Sequence, residues 1–446
     1  MRWTGGAATA IVLLVVVACG SQPPSPTGST DASGAPGSLA PSTSPSSSAG
    51  PGAPIGAAGR IALLASDSSL SVLLPDGSRA VLDDTSDGMY GFPTWSPDGS
   101  HIAAVRSDGA QTSVVVFDAP DAGTDTTEPT VIFEKPNASP FYLYWTPDSK
   151  KVSFLTTEAD VLSLRLAPAD GSAPIDGSGA GGVVRDGNPF YFDWLAADRL
   201  FTHIGTGSDS FVGEIGLDGG ATGPGFKTPG DFRSAVVSSD QRSVAFVRGV
   251  TGGPGEVIVA DRDGSNEHSM VVYGQTALMF DPAGGEVASI GSNDPQDLAG
   301  FPLGPVRLMD PTSGDVRTLI EGYVVAFWWS PDGKTIAALR VQPSIVSATP
   351  SGEPSQQATT EVRLIFVDVA SGETLSQPMI APSERFVSSF IAFFDQYALS
   401  HRIWAPDSSA ILMSEAGDDG VTRATVRFPD GSDPVQLDGE MAFWSP

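Results

Sequence analysis

The chain has 446 residues, of which 24 are basic and 52 acidic, for a formal charge of −28 and a pI of about 4.2. That balance argues against nucleic acid or an anionic lipid face as partner, because both need clustered Lys and Arg. A lone cysteine, Cys19, excludes a disulfide framework.

The N-terminus reads as an export signal. Arg2 gives a short positive region, and residues 5–18, "GGAATAIVLLVVVA", form an apolar run short for a membrane span. The run ends in Val16-Val17-Ala18-Cys19-Gly20, which resembles a bacterial lipobox. The resemblance implies a signal peptide over residues 1–18 and a lipidated Cys19 at the start of the mature protein. Residues 20–58 hold ten Ser, eight Pro and seven Gly with one charged side chain, Asp31. Nothing there can bury a core, so residues 19–58 are expected to form a lipidated, disordered tether. The folded part then runs over 59–446.

From Arg60 onward, short β-branched or aromatic runs alternate with Gly/Pro/Asp/Ser turns, and no stretch shows a sustained helical period. Trp95-Ser96-Pro97-Asp98-Gly99 returns as Trp145-Thr146-Pro147-Asp148-Ser149, Trp329-Ser330-Pro331-Asp332-Gly333 and Trp404-Ala405-Pro406-Asp407-Ser408. A partial copy, Trp444-Ser445-Pro446, closes the series. Pro presets φ, Asp bonds nearby amides and Gly tolerates positive φ, so each copy should turn the chain between two strands. Degenerate copies start at Trp194, Val237 and Phe280, giving eight markers spaced by 40 to 50 residues apart from one step of 75. A second series of turns, such as Asp76-Gly77, Asp218-Gly219 and Asp430-Gly431, interleaves with the first in equal number. Two turn types per repeat imply four strands, here a to d in order.

Four-stranded repeats of 40–50 residues predict an all-β fold, a single β-propeller. The counts favour eight blades, or seven if one worn marker is spurious. The first blade lacks strand a and the last residues supply one, so the C-terminal strand is expected to complete the N-terminal blade. The W-S-P-D-G unit followed by an apolar strand resembles the TolB-type, or PD40, repeat of bacterial propellers, and the resemblance covers about residues 60–446. The same repeats precede catalytic domains in prolyl-oligopeptidase-like peptidases.

In such blades the a–b and c–d turns share one face, and the b–c and d–a connections share the other. The long connections 291–305, 342–361 and 381–400 therefore mark the second face as the place for a ligand. The segment 381–404 combines aromatics with polar groups, and Phe394, Asp395, Tyr397, His401 and Arg402 are the ligand-face candidates. Tyr90/Phe92, Phe141/Tyr142 and Phe190/Tyr191 should ring the same mouth. His101, His203, His268 and His401 lie in different repeats without metal-ligand spacing, and no G-x-S-x-G occurs. The Asp261–Glu267 stretch is read as a turn, not a calcium loop. No catalytic set, metal site or cofactor is expected.

The leading expectation is a monomeric, lipid-anchored extracytoplasmic propeller that binds an envelope protein or a small ligand on the b–c/d–a face. Its membrane contact would be through the lipid alone. The alternatives are a lyase or hydrolase using Asp395, His401 and Arg402 at the channel mouth, and a non-catalytic partner of a peptidase.

Overall fold

The S-P-D-G stretches are turns held by their own side chains. Ser96 Oγ donates to Asp98 at 2.6 Å, the Ser100 amide donates to Asp98 at 3.0 Å, and the His101 amide donates to Ser96 Oγ at 3.0 Å. Burial pushes the Asp98 carboxyl up, but the bonds from Ser96 and Ser100 prevail and hold it down at about 2. Ser238 and Asp240 repeat the arrangement in a worn copy. The fifth position takes positive φ even without glycine, at 59° for Ser149, 59° for Gln241 and 64° for Ser408. Turn geometry, not residue identity, is what the repeat preserves.

The computed structural model describes residues 59–446 except 84–87, 110, 122–127, 179–181, 207–209, 224, 227–233, 250–252, 297–299 and 347–356. The signal peptide, Cys19 and the tether lie outside the described residues. Among the described residues, no helix is long and apolar enough to cross a membrane.

Strands follow one another as antiparallel meanders. β1 (Ile61–Leu64), β2 (Leu70–Leu73) and β3 (Arg79–Asp83) open the chain. The next sheet is β4 (Met89–Trp95), β5 (His101–Ser107), β6 (Thr112–Asp118) and β7 (Thr130–Glu134). It is followed by β8 (Ala138–Trp145), β9 (Lys151–Glu158), β10 (Val161–Pro168) and β11 (Val183–Asp186). β12 (Phe190–Ala196), β13 (Arg199–Ile204) and β14 (Phe211–Gly216) come next, with Ala221 and Phe226 bridging to β14.

Three further meanders are fused. β15 (Ala235–Val237), β16 (Ser243–Gly249) and β17 (Gly255–Asp261) lead into β18 (His268–Phe280), which ends one meander and starts the next. β19 (Val287–Ser292) and β20 (Gly304–Met309) lead into β21 (Val316–Trp329), which is shared in the same way. Gly274 (φ 69°) and Gly322 (φ 94°) sit where each shared strand changes partner, a bend that glycine makes without strain. β22 (Thr335–Val346), β23 (Gln357–Asp368), β24 (Thr374–Ser376) and β25 (Met379–Ile380) complete the third. Pairing of β22 with β23 continues out to Val346 and Gln357, so much of the expected 342–361 loop is a strand extension.

The last meander is β26 (Ile411–Ala416), β27 (Thr422–Arg427) and β28 (Val435–Leu437). Finally β29 (Met441–Trp444) pairs with β1, from Ile61 opposite Trp444 to Leu64 opposite Met441. The C-terminal strand thus completes the first sheet, which removes an open edge.

The expectation of a loop over 381–400 is corrected by two short helices. Pro382 bridges to Glu415 and Trp404 to Ile411, so both stretches line β26 as its inner neighbour. Between them the chain leaves the sheet and forms α1 (Glu384–Ser389), a 3-10 turn (Ile391–Phe393) and α2 (Phe394–Ser400). Ser383 caps α1 by accepting from the Phe386 amide. Helices of six and seven residues are too short to show a period in sequence.

Candidate ligand-binding site

The inserted helices pack against the inner strands. Helix α2 contacts β8, β12, β18 and β21, which start four different meanders. Bulges in two inner strands, β4 and β8, turn aromatic side chains toward the helix. Register shifts fall between Gly91 and Thr94 and between Phe141 and Tyr144, and Phe92 (φ 51°) and Tyr142 (φ 50°) take left-handed backbone there. Such a conformation is costly for an aromatic residue, and here it aims both rings at Tyr397. Phe92 stacks on Tyr397 at 5.4 Å, and Tyr142 meets it edge-on at 5.4 Å. The Tyr142 hydroxyl donates to the Gln396 carbonyl at 2.9 Å. Thr94 Oγ1 donates to the Ser400 carbonyl, and Ser234 Oγ donates to Asp395.

The sequence candidates therefore divide. Phe394, Asp395, Tyr397 and His401 are buried, whereas Arg402 remains exposed. Phe394 packs on Phe327 and Trp328 at 5.5 and 5.8 Å. Burial pushes the Asp395 carboxyl up to about 6, against the opposing pull of Ser234. Burial also drives His401 down to about 4, so the ring is neutral at neutral pH. Its Nδ1 is bonded to Ser400 Oγ at 2.7 Å. Asp395 and His401 thus have separate partners, Ser234 and Ser400. Of the other aromatics expected at this mouth, Phe92 and Tyr142 reach the helices. Tyr90 packs between two sheets instead, bonding Asp83 of β3 at 2.7 Å and packing on Phe117 of its own sheet at 5.6 Å.

Asp193 escaped the sequence reading. Its buried carboxylate accepts from Tyr144 Oη at 3.0 Å and from the amides of Trp194 at 2.8 Å and Val237 at 3.2 Å. Burial still raises it to about 6. Two of its three donors, Tyr144 and Val237, come from other strands, so the sequence around Asp193 does not signal this.

Helix α2 carries the chain from the long-connection end to the end where the S-P-D-G turns lie. His401 and Arg402 consequently line a cavity of about 450 Å³ together with Pro282, Pro331 and Pro406 of three such turns. Its apolar wall comes from Met279, Trp328, Trp329, Ile403 and Trp404. This is the face opposite to the one the long connections pointed to. The cavity opens there because strand direction obliges the chain to cross between one sheet's outer edge and the next S-P-D-G turn. The doublet Trp328-Trp329 was the sequence signal for it, being the one marker with a second indole beside it.

No protein-family model matches the chain, and no curated protein matches it in sequence. Among solved structures, prolyl oligopeptidase B from Galerina marginata is similar over 80% of this chain and 51% of its own, with 13% identity and a TM-score of 0.51. The chain thus spans about half of that peptidase. TolB from Acinetobacter baumannii is similar over 87% of this chain and 67% of its own, with 13% identity and a TM-score of 0.39. A putative TolB from Agrobacterium tumefaciens is similar over 62% of this chain and 94% of its own, at 17% identity and a TM-score of 0.36. At these identities the likeness is one of fold. Successive antiparallel meanders of three or four strands, with the last strand completing the first sheet, are the architecture of a β-propeller.

Proposed function

We propose that the chain is a lipid-anchored, extracytoplasmic binding module built as an eight-bladed propeller, with its ligand site in the cavity beside Arg402. Eight meanders, counting the two shared strands twice, support the blade number. The lipobox-like start and the Ser/Pro/Gly tether support the anchored location. The observation that carries the binding reading is the insertion of 384–402. It packs the middle of the molecule with Phe394 and Tyr397 and leaves an open, largely apolar cavity at the S-P-D-G end. Pockets of a few hundred Å³ with apolar walls and few polar groups are the usual form of a ligand site. The partner is an envelope protein or a small ligand, and one protein copy suffices to form the site.

A photo-reactive side chain introduced at Leu399, which lines the cavity, should cross-link the partner in intact envelope. The same probe at exposed Phe393, at the other end of α2, should not. Adducts at Phe393 with none at Leu399 would overturn this reading and return the site to the long-connection face.

A further inference from the structure

We propose that the cavity binds a monocarboxylate with an adjoining apolar group, Arg402 taking the carboxylate and the indoles taking the apolar body. This rests on the reading of the cavity as the ligand site and adds the chemistry of its ligand.

The cation is Arg402. In a chain of charge −28, most arginines of the structure are bonded to acids or carbonyls, as Arg262 is to Glu214 at 2.8 Å and Arg427 to Glu415 at 2.6 Å. No ion pair or side-chain hydrogen bond holds the Arg402 guanidinium among the described residues. It is nevertheless crowded enough that desolvation lowers its pKa. An exposed cation without a counter-charge beside an apolar wall can gain charge-assisted hydrogen bonds from a bound anion. The guanidinium fork suits a planar carboxylate, which it can hold by two parallel bonds.

The charge of the ligand follows from the neighbours. His401 also lines the cavity but is neutral, and Asp281 of the same lining is acidic. One cation and one acid in one lining disfavour a dianion such as a phosphate monoester, which would meet a single positive partner. The remaining wall is Met279, Trp328, Trp329, Ile403 and Trp404, which offers apolar and aromatic contact but little hydrogen bonding. A carboxylate with an aromatic or branched apolar group one or two carbons away fits both halves. A peptide C-terminus and a free amphipathic acid share that chemistry.

The test uses the full chain and two matched pairs of probes. N-acetyl-phenylalanine is compared with its amide, and a hexapeptide ending in Phe with its C-terminal amide. Binding is followed by quenching of tryptophan fluorescence and by calorimetry. At least one acid should bind, and its amide should bind at least about tenfold more weakly, the worth of a charged hydrogen bond. Binding of the small acid points to a free ligand; binding of the peptide acid alone points to a chain terminus. Arg402→Gln should erase the acid–amide difference while keeping the thermal midpoint, and Arg402→Lys should restore part of it. Equal binding of acid and amide would overturn the carboxylate inference and leave the cavity reading standing. Binding of neither, with cross-linking at Leu399 intact, would overturn the inference alone. Loss of both would overturn the two together.

Discussion

The joints between blades are of two kinds, those bridged by an indole N–H and those that are not. Where a full W-S-P-D-G marker meets a well-formed neighbour, the indole N–H crosses to the adjacent inner strand. Trp95 donates to the Phe443 carbonyl at 3.1 Å, Trp145 to Thr94 at 3.0 Å and Trp404 to Trp328 at 3.3 Å. In each case the acceptor is the residue just before the marker of the preceding blade around the ring, so one bond is repeated from blade to blade. The first of them joins the two ends of the fold. Second bonds run beside two of these, from Ser149 to the Asp98 amide at 3.1 Å and from Ser408 to the Asp332 amide at 3.0 Å, each hydroxyl accepting.

The side containing β15 to β21 is different. Its markers are Val237 and Phe280, which have no side-chain N–H to give, and Trp329 next to them has a buried indole nitrogen without a hydrogen-bond partner among the described residues, as Trp194 and Trp444 have elsewhere. The cavity opens there, bounded by Val237, Phe280 and Trp329. Regular joints make scaffold, and the irregular stretch makes room. The wear of the repeat, which in sequence looks like decay, coincides with the place where a ligand could enter.

Substitutions can break this contrast. The largest effect is expected for Trp145→Ala, which removes a fully buried indole and its bond. It should cost about 3–5 kcal/mol in urea unfolding, against a smaller loss for Val237→Ala. Next comes the pH dependence of the inserted helix. Asp395 has a folded pKa of about 6 against an ordinary 3.8, so the folded state holds the proton more tightly. Its contribution to stability is complete below the unfolded value and is lost as pH rises through about 6. His401 works in the opposite sense, because its folded value of about 4 lies below the ordinary 6.5. Relative to the native chain, Asp395→Asn should therefore gain stability between pH 4 and 6, with Asp193 unchanged in both. Thermal midpoints measured across that range test the sign; a parallel pair of curves would contradict it.

The smaller effects sharpen the comparison. Trp145→Phe should destabilise more than Trp329→Phe by about 1 kcal/mol, the net value of one hydrogen bond, since only the first indole is bonded. Equal losses would mean the indole bond contributes nothing to the joint. Ser96→Ala removes two turn bonds and should cost about 1 kcal/mol. Ala405 already lacks the hydroxyl at the equivalent position, and the turn there survives on Asp407 alone.

The repeat was legible because its turns depend on side chains close in sequence. Ser96, Asp98 and Gly99 specify a turn by themselves, and the apolar run after it can only be a buried strand. Strand β29 was legible for the same reason, since Met441–Trp444 reads as an inner strand in need of a sheet. The helices were not legible, because an insertion that splits an inner strand leaves no break in composition, and six or seven residues cannot reveal a helical period. The fate of Asp395 and His401 depended on Ser234 and Ser400, one distant and one adjacent, and no local pattern distinguishes a buried polar plug from an exposed loop. The side of the molecule on which Arg402 emerges depended on the path of α2, which only the three-dimensional structure gives.

Amide hydrogen exchange on the full chain, with and without N-acetyl-phenylalanine at saturation, tests the division between scaffold and site most directly. Protection is predicted to rise in segments around 279–282, 328–331 and 398–404, and to stay unchanged around 95–99 and 145–149. Protection concentrated around 390–394, at the opposite end of α2, would contradict the account.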